Sequence, residues 1–250
     1  MLMDEKDIKV ITLGESGVGK TSIINRIKGD GFNEAQLPTF EILDSFTLKK
    51  TDTKRNLTIN LIFHDTAGQE KLANKLPMNY IRNSKVVLLV FCDIESLKVI
   101  KERWYTFYQQ NTNTENPRFI LIGNKSDIFG DKRDEIKKQG QEFADEIDAH
   151  FMTCSAKSDD NLDNITRYIL REAKRIIDED NIKKEQKEKE EKERKEKEEK
   201  EKKEKEEKVE NTVKKEKVEM TAKKEREISN DEKSIKIHTL KKRKRKQCCK

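Results

Sequence analysis

Three glycines, a lysine and a threonine lie close together near the start of the chain, in residues 14–21 (GESGVGKT). Glycines allow a backbone to curl until several N–H groups converge on one point, and such a loop binds phosphate. The ammonium of Lys20 would neutralise the outer phosphates, and the hydroxyl of Thr21 would be a ligand for Mg²⁺, which prefers oxygen. The segment therefore predicts a site for a di- or triphosphate. The alternative is a chance match in an ordinary loop.

The residues on either side of this loop fit such a site. Residues 8–13 (IKVITL) predict a buried strand, and residues 21–27 predict a helix. A helix that begins at the loop adds the positive end of its dipole to the phosphate site. A strand, a glycine-rich loop and a helix in this order are the expected surroundings of a phosphate-binding loop.

Strands and helices alternate along the rest of residues 8–177. Besides 8–13, strands are predicted at 42–50, 57–63, 86–92, 119–122 and 151–153, and helices near 97–108, 132–147 and 159–177. This alternation predicts an α/β fold, a P-loop nucleotide-binding domain with a six-stranded, mostly parallel sheet flanked by helices. Residues 1–7 are expected to be a polar lead. In such a sheet the loops after the strands build the ligand site.

A second polar loop, DTAGQE, follows the third predicted strand. The carboxylate of Asp65 suits a magnesium ion that it holds through water, and the N–H of Gly68 can meet a terminal phosphate. The side-chain amide of Gln69 could then orient an attacking water. The alternative is a plain turn that ends a strand.

Two further loops point to guanine. Asp127, in the segment Asn124-Lys125-Ser126-Asp127, can accept two hydrogens from a guanine edge, and adenine lacks that pair of donors. A buried polar contact rejects an analogue that cannot complete it. The segment Ser155-Ala156-Lys157 would close over the base from the other side, with the Ala156 N–H reaching the guanine carbonyl.

Taken in order, these four motifs resemble a small GTPase of the Ras superfamily over residues 8–177. The resemblance implies a switch in which GTP and Mg²⁺ hold two loops, here residues 32–42 and 66–78, until hydrolysis releases them. It implies that Thr39 binds the metal together with Thr21, and that Gln69, Lys20 and Thr39 are the catalytic residues. It places Phe32 beside the base. The implied nucleotide contacts are Glu15, Ser16, Gly17, Val18, Gly19, Lys20, Thr21, Ser22, Phe32, Thr39, Asp65, Gly68, Asn124, Lys125, Asp127, Ser155, Ala156 and Lys157.

Within the superfamily the chain is most similar to the Rab family. Residues 80–84 (YIRNS), Trp104 and the terminal Cys-Cys-Lys resemble Rab proteins, whereas residues 38–41 (PTFE) are closer to the Ras and Rho patterns. A Rab-like protein implies slow GTP hydrolysis, stimulated by an activating protein, in the control of vesicle traffic. A Ras- or Rho-like signalling GTPase and a GTP-binding scaffold with negligible turnover remain as alternatives.

The charge is distributed unevenly. Charged residues make up 42 % of the chain. Residues 178–250 contain 28 lysines and arginines and 22 acids, and the last ten residues carry seven positive charges and no acid. The part before residue 178 is therefore neutral, which gives no reason to expect nucleic acid as a partner.

The composition predicts three parts: a GTP-binding domain at 1–177, a Lys/Glu-rich spacer at 178–240 that is helical or disordered, and a polybasic tail at 241–250. The spacer lacks the apolar seam of a coiled coil.

The tail ends in Cys248 and Cys249, which resemble the cysteine pair that Rab proteins have prenylated. Two lipid chains and a basic patch satisfy the requirement for stable membrane attachment. A nuclear-import or nucleic-acid patch is the competing interpretation. No long apolar run or signal peptide is found, so the expected location is the cytoplasmic face of an intracellular or plasma membrane, in exchange with the cytosol. The implied protein partners are an exchange factor, a GTPase-activating protein, escort and dissociation-inhibitor proteins, and effectors.

Overall fold

The structure is a computed structural model that describes residues 3–35, 45–65 and 81–247. The chain divides into two units, Met1–Ile182 and Lys183–Lys250. The first unit contains the sheet and its helices. The second is helical as far as Gln247.

A six-stranded, mostly parallel sheet confirms the predicted fold class. The strand order is β2-β3-β1-β4-β5-β6. Strand β2 is antiparallel to β3, and the other described pairs are parallel. The strands are β1 (Asp4–Leu13), β2 (Phe46–Asp52), β3 (Leu57–His64), β4 (Val86–Phe91), β5 (Arg118–Gly123) and β6 (His150–Thr153).

Helices flank the sheet, as the sequence predicts. The segment predicted as one helix near 97–108 consists of two short helices joined by a π-helical turn, Ile100–Trp104. The first of these helices begins with a capping box between Asp93 and Ser96. The described helices are α1 (Lys20–Lys28), α2 (Ile94–Val99), α3 (Tyr105–Asn111), α4 (Arg133–Glu146) and α5 (Leu162–Gln247).

Apolar side chains fill both faces of the sheet. All six residues of β4 are buried, and they alternate between two clusters: Val86, Leu88 and Val90 join one, and the residues between them join the other. The first cluster includes residues of α1 and α5, and the second includes residues of α2 to α4. A continuous apolar run is typical of a parallel strand covered on both faces, which explains why β4 was predictable from sequence.

Residues 4–7 were expected to be a polar lead, and that expectation is wrong. They form the first part of β1 and pair in parallel with residues 57–60 of β3. The side chain of Asn60 donates a hydrogen bond of 2.8 Å to the carboxylate of Asp7. Backbone pairing with a neighbouring strand, rather than an apolar pattern, determines the strand here.

The second unit, described by itself, is a charged helix. Pairs of opposite charge at a spacing of four residues, each worth about 0.2–0.5 kcal/mol, support such a helix in water. The pairs include Lys184–Glu188, Glu191–Lys195, Arg194–Glu198 and Glu199–Lys203. Of the two predicted states of the spacer, the structure has the helix. Within the described residues, no helix combines the length and apolar character needed to cross a bilayer.

Candidate nucleotide-binding site

The glycine-rich loop lies between the end of β1 and the start of α1. Gly17 and Gly19 have φ angles of 79° and 94°, in the left-handed region that favours glycine. A Cβ atom on Gly19 would overlap the side-chain nitrogen of Asn124, and one on Gly14 would overlap the carbonyl oxygen of Val90. Gly14 and Gly19 are therefore required by close packing as well as by backbone conformation.

The side chain of Lys20 folds back over this loop. Its ammonium donates hydrogen bonds to the carbonyl oxygens of Gly14, at 2.9 Å, and Glu15, at 2.7 Å. Only 5 % of the residue is exposed. Burial lowers the pKa of the Lys20 ammonium to about 8, although the nearby carboxylates of Asp65 and Glu15 partly oppose that shift. A buried cation in a glycine-rich loop is suited to an anionic ligand such as phosphate.

Two oxygen-bearing side chains meet at the start of α1. The hydroxyl of Thr21 donates a 2.6 Å hydrogen bond to the carboxylate of Asp65, which follows β3. Asp65 is 3 % exposed, and the hydroxyl of Thr12 lies 3.5 Å from its other oxygen. Hydroxyl and carboxylate oxygens are ligands that suit Mg²⁺. This arrangement is therefore compatible with the prediction that Thr21 binds the metal directly and that Asp65 holds it through water.

Asn124 connects the phosphate loop to the other loops. It follows β5 and is 1 % exposed. Its side-chain nitrogen donates to the carbonyl of Val18 at 2.8 Å, and its side-chain oxygen accepts from the N–H of Ala156 at 3.1 Å. Three loops that are distant in sequence are therefore joined through one buried amide.

The predicted base-recognition residues lie side by side after β5 and β6. Lys125 has a φ of 62°, and Asp127 is exposed. The carboxylate of Asp127 accepts a 2.5 Å hydrogen bond from the hydroxyl of the buried Ser155. This bond fixes the carboxylate against the neighbouring loop.

Two groups expected to contact the base have protein partners in this structure. The N–H of Ala156, expected to reach the guanine carbonyl, donates to Asn124. The ammonium of Lys157 forms a 2.7 Å ion pair with Glu34, and that pairing raises the pKa of Lys157. Both partners of this ion pair are more than half exposed.

Sequence reasoning missed two side chains that position the site. Trp104 was noted only as a point of resemblance to Rab proteins; its side chain is buried, and its N–H donates to the Glu15 carboxylate at 3.2 Å. Arg26 of α1 donates to the carbonyls of Ala156, at 2.8 Å, and Lys157, at 2.9 Å. No sequence signal could have found the Arg26 contacts, because the partners lie 130 and 131 positions away.

The remaining predicted residues are partly described. Phe32 packs against the first apolar cluster, Ser22 is half-buried on α1, and Ser16 is exposed in the phosphate loop. The predicted switch loops fall largely outside the described residues. Also outside them lie Thr39, Gly68, Gln69, Cys248 and Cys249.

A family model described as "Ras family" matches residues 9–175. The chain belongs to the Ras family. The match covers strands β2 to β6, residues 9–13 of β1 and every described loop of the candidate site. Members of this family are GTPases that bind guanine nucleotides and are controlled by regulators and read by effectors.

The relatives of this Ras-family chain carry Rab names, which confirms the resemblance to Rab proteins. "Ras-related protein RABE1d" of Arabidopsis thaliana is 33 % identical over 180 residues, covering 71 % of this chain and 81 % of the relative. "GTP-binding protein ypt2" of Schizosaccharomyces pombe is 34 % identical over 170 residues, covering 67 % and 82 %. "Ras-related protein SEC4" of Candida albicans is 33 % identical over 160 residues, covering 63 % and 73 %.

Proposed function

We propose that this Ras-family chain is a Rab-type switch that binds GTP and GDP with Mg²⁺, hydrolyses GTP slowly and regulates vesicle traffic. One observation carries the proposal. The phosphate loop, Asp65, Asn124 and residues 155–157 all follow the carboxyl ends of parallel strands, where ligands bind in such sheets. The buried amide of Asn124 joins the phosphate-loop side of this site to the base side.

The guanine base is the ligand that the second half of the site favours. The carboxylate of Asp127 can accept both the ring N–H and the exocyclic amine of guanine. An Asp127→Asn variant should lose affinity for GDP and gain affinity for xanthosine diphosphate, which presents a carbonyl in place of the amine. A Ser16→Ala variant of the phosphate loop is the matched control and should keep the preference for guanine. Unchanged selectivity in Asp127→Asn contradicts the proposed role.

Hydrolysis would be carried out by residues that the resemblance assigns. Gln69 would orient the attacking water, and Lys20 would stabilise the charge that develops on the phosphates. Mg²⁺, held by Thr21, Thr39 and, through water, Asp65, would neutralise the phosphate oxygens. We expect slow turnover without a partner and faster turnover with an activating protein.

Single-turnover phosphate release from GTP-loaded full-length chain tests this activity. Wild type should release phosphate slowly, and a Gln69→Leu variant should be about tenfold slower or worse, because the water loses its orienting amide. A Gln141→Leu variant on α4, distant in sequence from every predicted site residue, is the control for the substitution. A wild-type chain that binds GTP and releases no phosphate would be a scaffold rather than an enzyme.

Membrane attachment is the remaining part of the proposal. Prenyl groups on Cys248 and Cys249 and the basic residues 241–246 would hold the chain on a cytoplasmic membrane face. An escort protein, a dissociation inhibitor and an exchange factor would control the cycle, and effectors would read residues 32–42 and 66–78. A Cys248→Ser, Cys249→Ser double variant should move to the soluble fraction of cells. Its continued presence on membranes, or nuclear accumulation of the wild type, would contradict lipid attachment.

A further inference from the structure

A single arginine on α1 contacts both walls of the candidate base pocket. The guanidinium of Arg26 donates through Nε to the carbonyl of Ala156 and through Nη2 to the carbonyl of Lys157, at 2.8 and 2.9 Å. The same guanidinium lies over the ring of Phe32, 6.0 Å from its centroid. Two segments that the sequence predicts to contact the base therefore share one contact residue.

The geometry of these contacts suits arginine in particular. A guanidinium presents several N–H donors in a rigid plane, so it can bond two neighbouring carbonyls while its face packs on an aromatic ring. Lysine has a compact ammonium without a planar face, so it cannot bond both carbonyls and also stack on the ring. The carboxylate of Asp159 lies 3.8 Å from Nη1 and partly balances the charge.

A second link between the two walls, among the described residues, is weaker. The Lys157–Glu34 ion pair is 58 % and 80 % exposed at its two side chains, and exposed pairs contribute little in water. The Arg26 side chain is only 20 % exposed. Hydrogen bonds from a charged donor in a partly buried setting are stronger than exposed ion pairs. Of these two links, the one through Arg26 is therefore the stronger, and it adds to the bonds that Asp127 and Asn124 make with Ser155 and Ala156.

We infer that Arg26 is a positioning residue for the nucleotide: it holds the Ala156–Lys157 backbone and the Phe32 ring against the base and so sets how slowly the nucleotide leaves. This inference rests on the proposed function, because it requires the base to lie between these two walls. Arg26 is not among the predicted phosphate or metal contacts. Its loss should therefore speed release without changing which base is preferred.

The test measures dissociation of a fluorescently labelled GDP from full-length chain at constant Mg²⁺. Replacing Arg26 with alanine (Arg26→Ala) should accelerate release about 10- to 100-fold, since two charge-assisted hydrogen bonds are lost. Arg26→Lys keeps the charge and one donor direction, so its rate of GDP release should lie between those of Arg26→Ala and wild type. Lys28→Ala, which removes an exposed lysine from the same helix, is the matched control and should release GDP at the wild-type rate.

A second measurement separates positioning from a merely structural role. Dissociation of inosine diphosphate, which lacks the exocyclic amine, should accelerate in Arg26→Ala by the same factor as that of GDP, because the Asp127 contact is intact. Glu34→Ala should change release at most about fivefold, since it removes only the exposed ion pair with Lys157. A change in the ratio of the two rates in Arg26→Ala would contradict the inference.

The remaining outcomes are also decisive. A rate of GDP release from Arg26→Ala within about twofold of that from Lys28→Ala would overturn the inference. A wild-type rate of release from Arg26→Lys would overturn it as well. The lysine variant keeps the test decisive if the alanine variant fails to fold. A wild-type chain that retains no labelled GDP would refute the proposed function itself. Retention of GDP by wild type and the Arg26 variants alike would refute this inference alone.

Discussion

The buried ammonium of Lys20 predicts that nucleotide affinity falls as the pH rises. Burial lowers the pKa of this group from 10.5 to about 8 in the protein without nucleotide. Bound phosphates favour the charged form, so binding must restore a proton that the free protein has lost above pH 8. Between about pH 7 and pH 9 this linkage weakens binding by about tenfold.

The same group affects folding in the opposite direction. The unfolded chain keeps the Lys20 proton up to about pH 10.5, whereas the unliganded folded chain releases it near pH 8. Stability of the nucleotide-free protein therefore rises between these pH values, by at most about 3 kcal/mol from this residue. Below pH 8 the buried charge is a cost to the free protein, which a bound anion offsets.

The assay is the equilibrium affinity for labelled GDP from about pH 7 to pH 9 at constant ionic strength and Mg²⁺, together with urea unfolding of the nucleotide-free chain. Lys20→Met should bind weakly at every pH and lose this component of the pH dependence in both measurements. Lys28→Met, on the exposed part of the same helix, should retain the wild-type profile. Parallel pH profiles for wild type and Lys20→Met would refute the reasoning.

Three further predictions concern neighbouring contacts. Asn124→Ala leaves the Val18 carbonyl without its buried donor and should lower the free energy of unfolding by about 1–3 kcal/mol in urea denaturation. Trp104→Phe keeps a buried aromatic ring but removes the donor to Glu15, so GDP release should accelerate several-fold in a stopped-flow measurement. The isolated segment 183–247 should be strongly helical by circular dichroism, and salt should reduce the helix content because its charge pairs are exposed.

Each of these predictions has a clear contrary result. Asn164→Ala, on the exposed part of α5, is the control for the first, and equal stability of both variants contradicts the role given to the buried amide. For the second, GDP release from Trp104→Phe at the wild-type rate would show that the hydrogen bond to Glu15 does not affect release. Negligible helicity of the isolated segment would contradict the third.

The sheet was predictable because its strands carry strong local signals. The continuous apolar run of β4 and the regular alternation in β3 predict strands on their own, and both are found. Residues 4–7 carry no such signal, and they are strand only because β3 lies beside them. The π-helical turn Ile100–Trp104 likewise has no local sequence pattern that predicts it.

The candidate site likewise has parts that the sequence predicts and parts that it does not. Motifs of short spacing, such as residues 14–21 and 124–127, could be interpreted because each places its chemistry within a few residues. The Arg26 and Trp104 contacts join positions about 90 to 130 residues apart and depend on how the helices pack on the sheet. The pairing of Lys157 with Glu34 was equally beyond sequence reasoning, since neither side chain has a local partner that predicts it.

The nucleotide carried by the purified full-length chain tests the central claim most directly. Chain purified from cells in buffers that retain Mg²⁺ would be denatured, and the released nucleotide would be identified by anion-exchange chromatography. The site described above predicts close to one guanine nucleotide per chain, mostly GDP. Adenine nucleotide, or no nucleotide at all, would contradict the account.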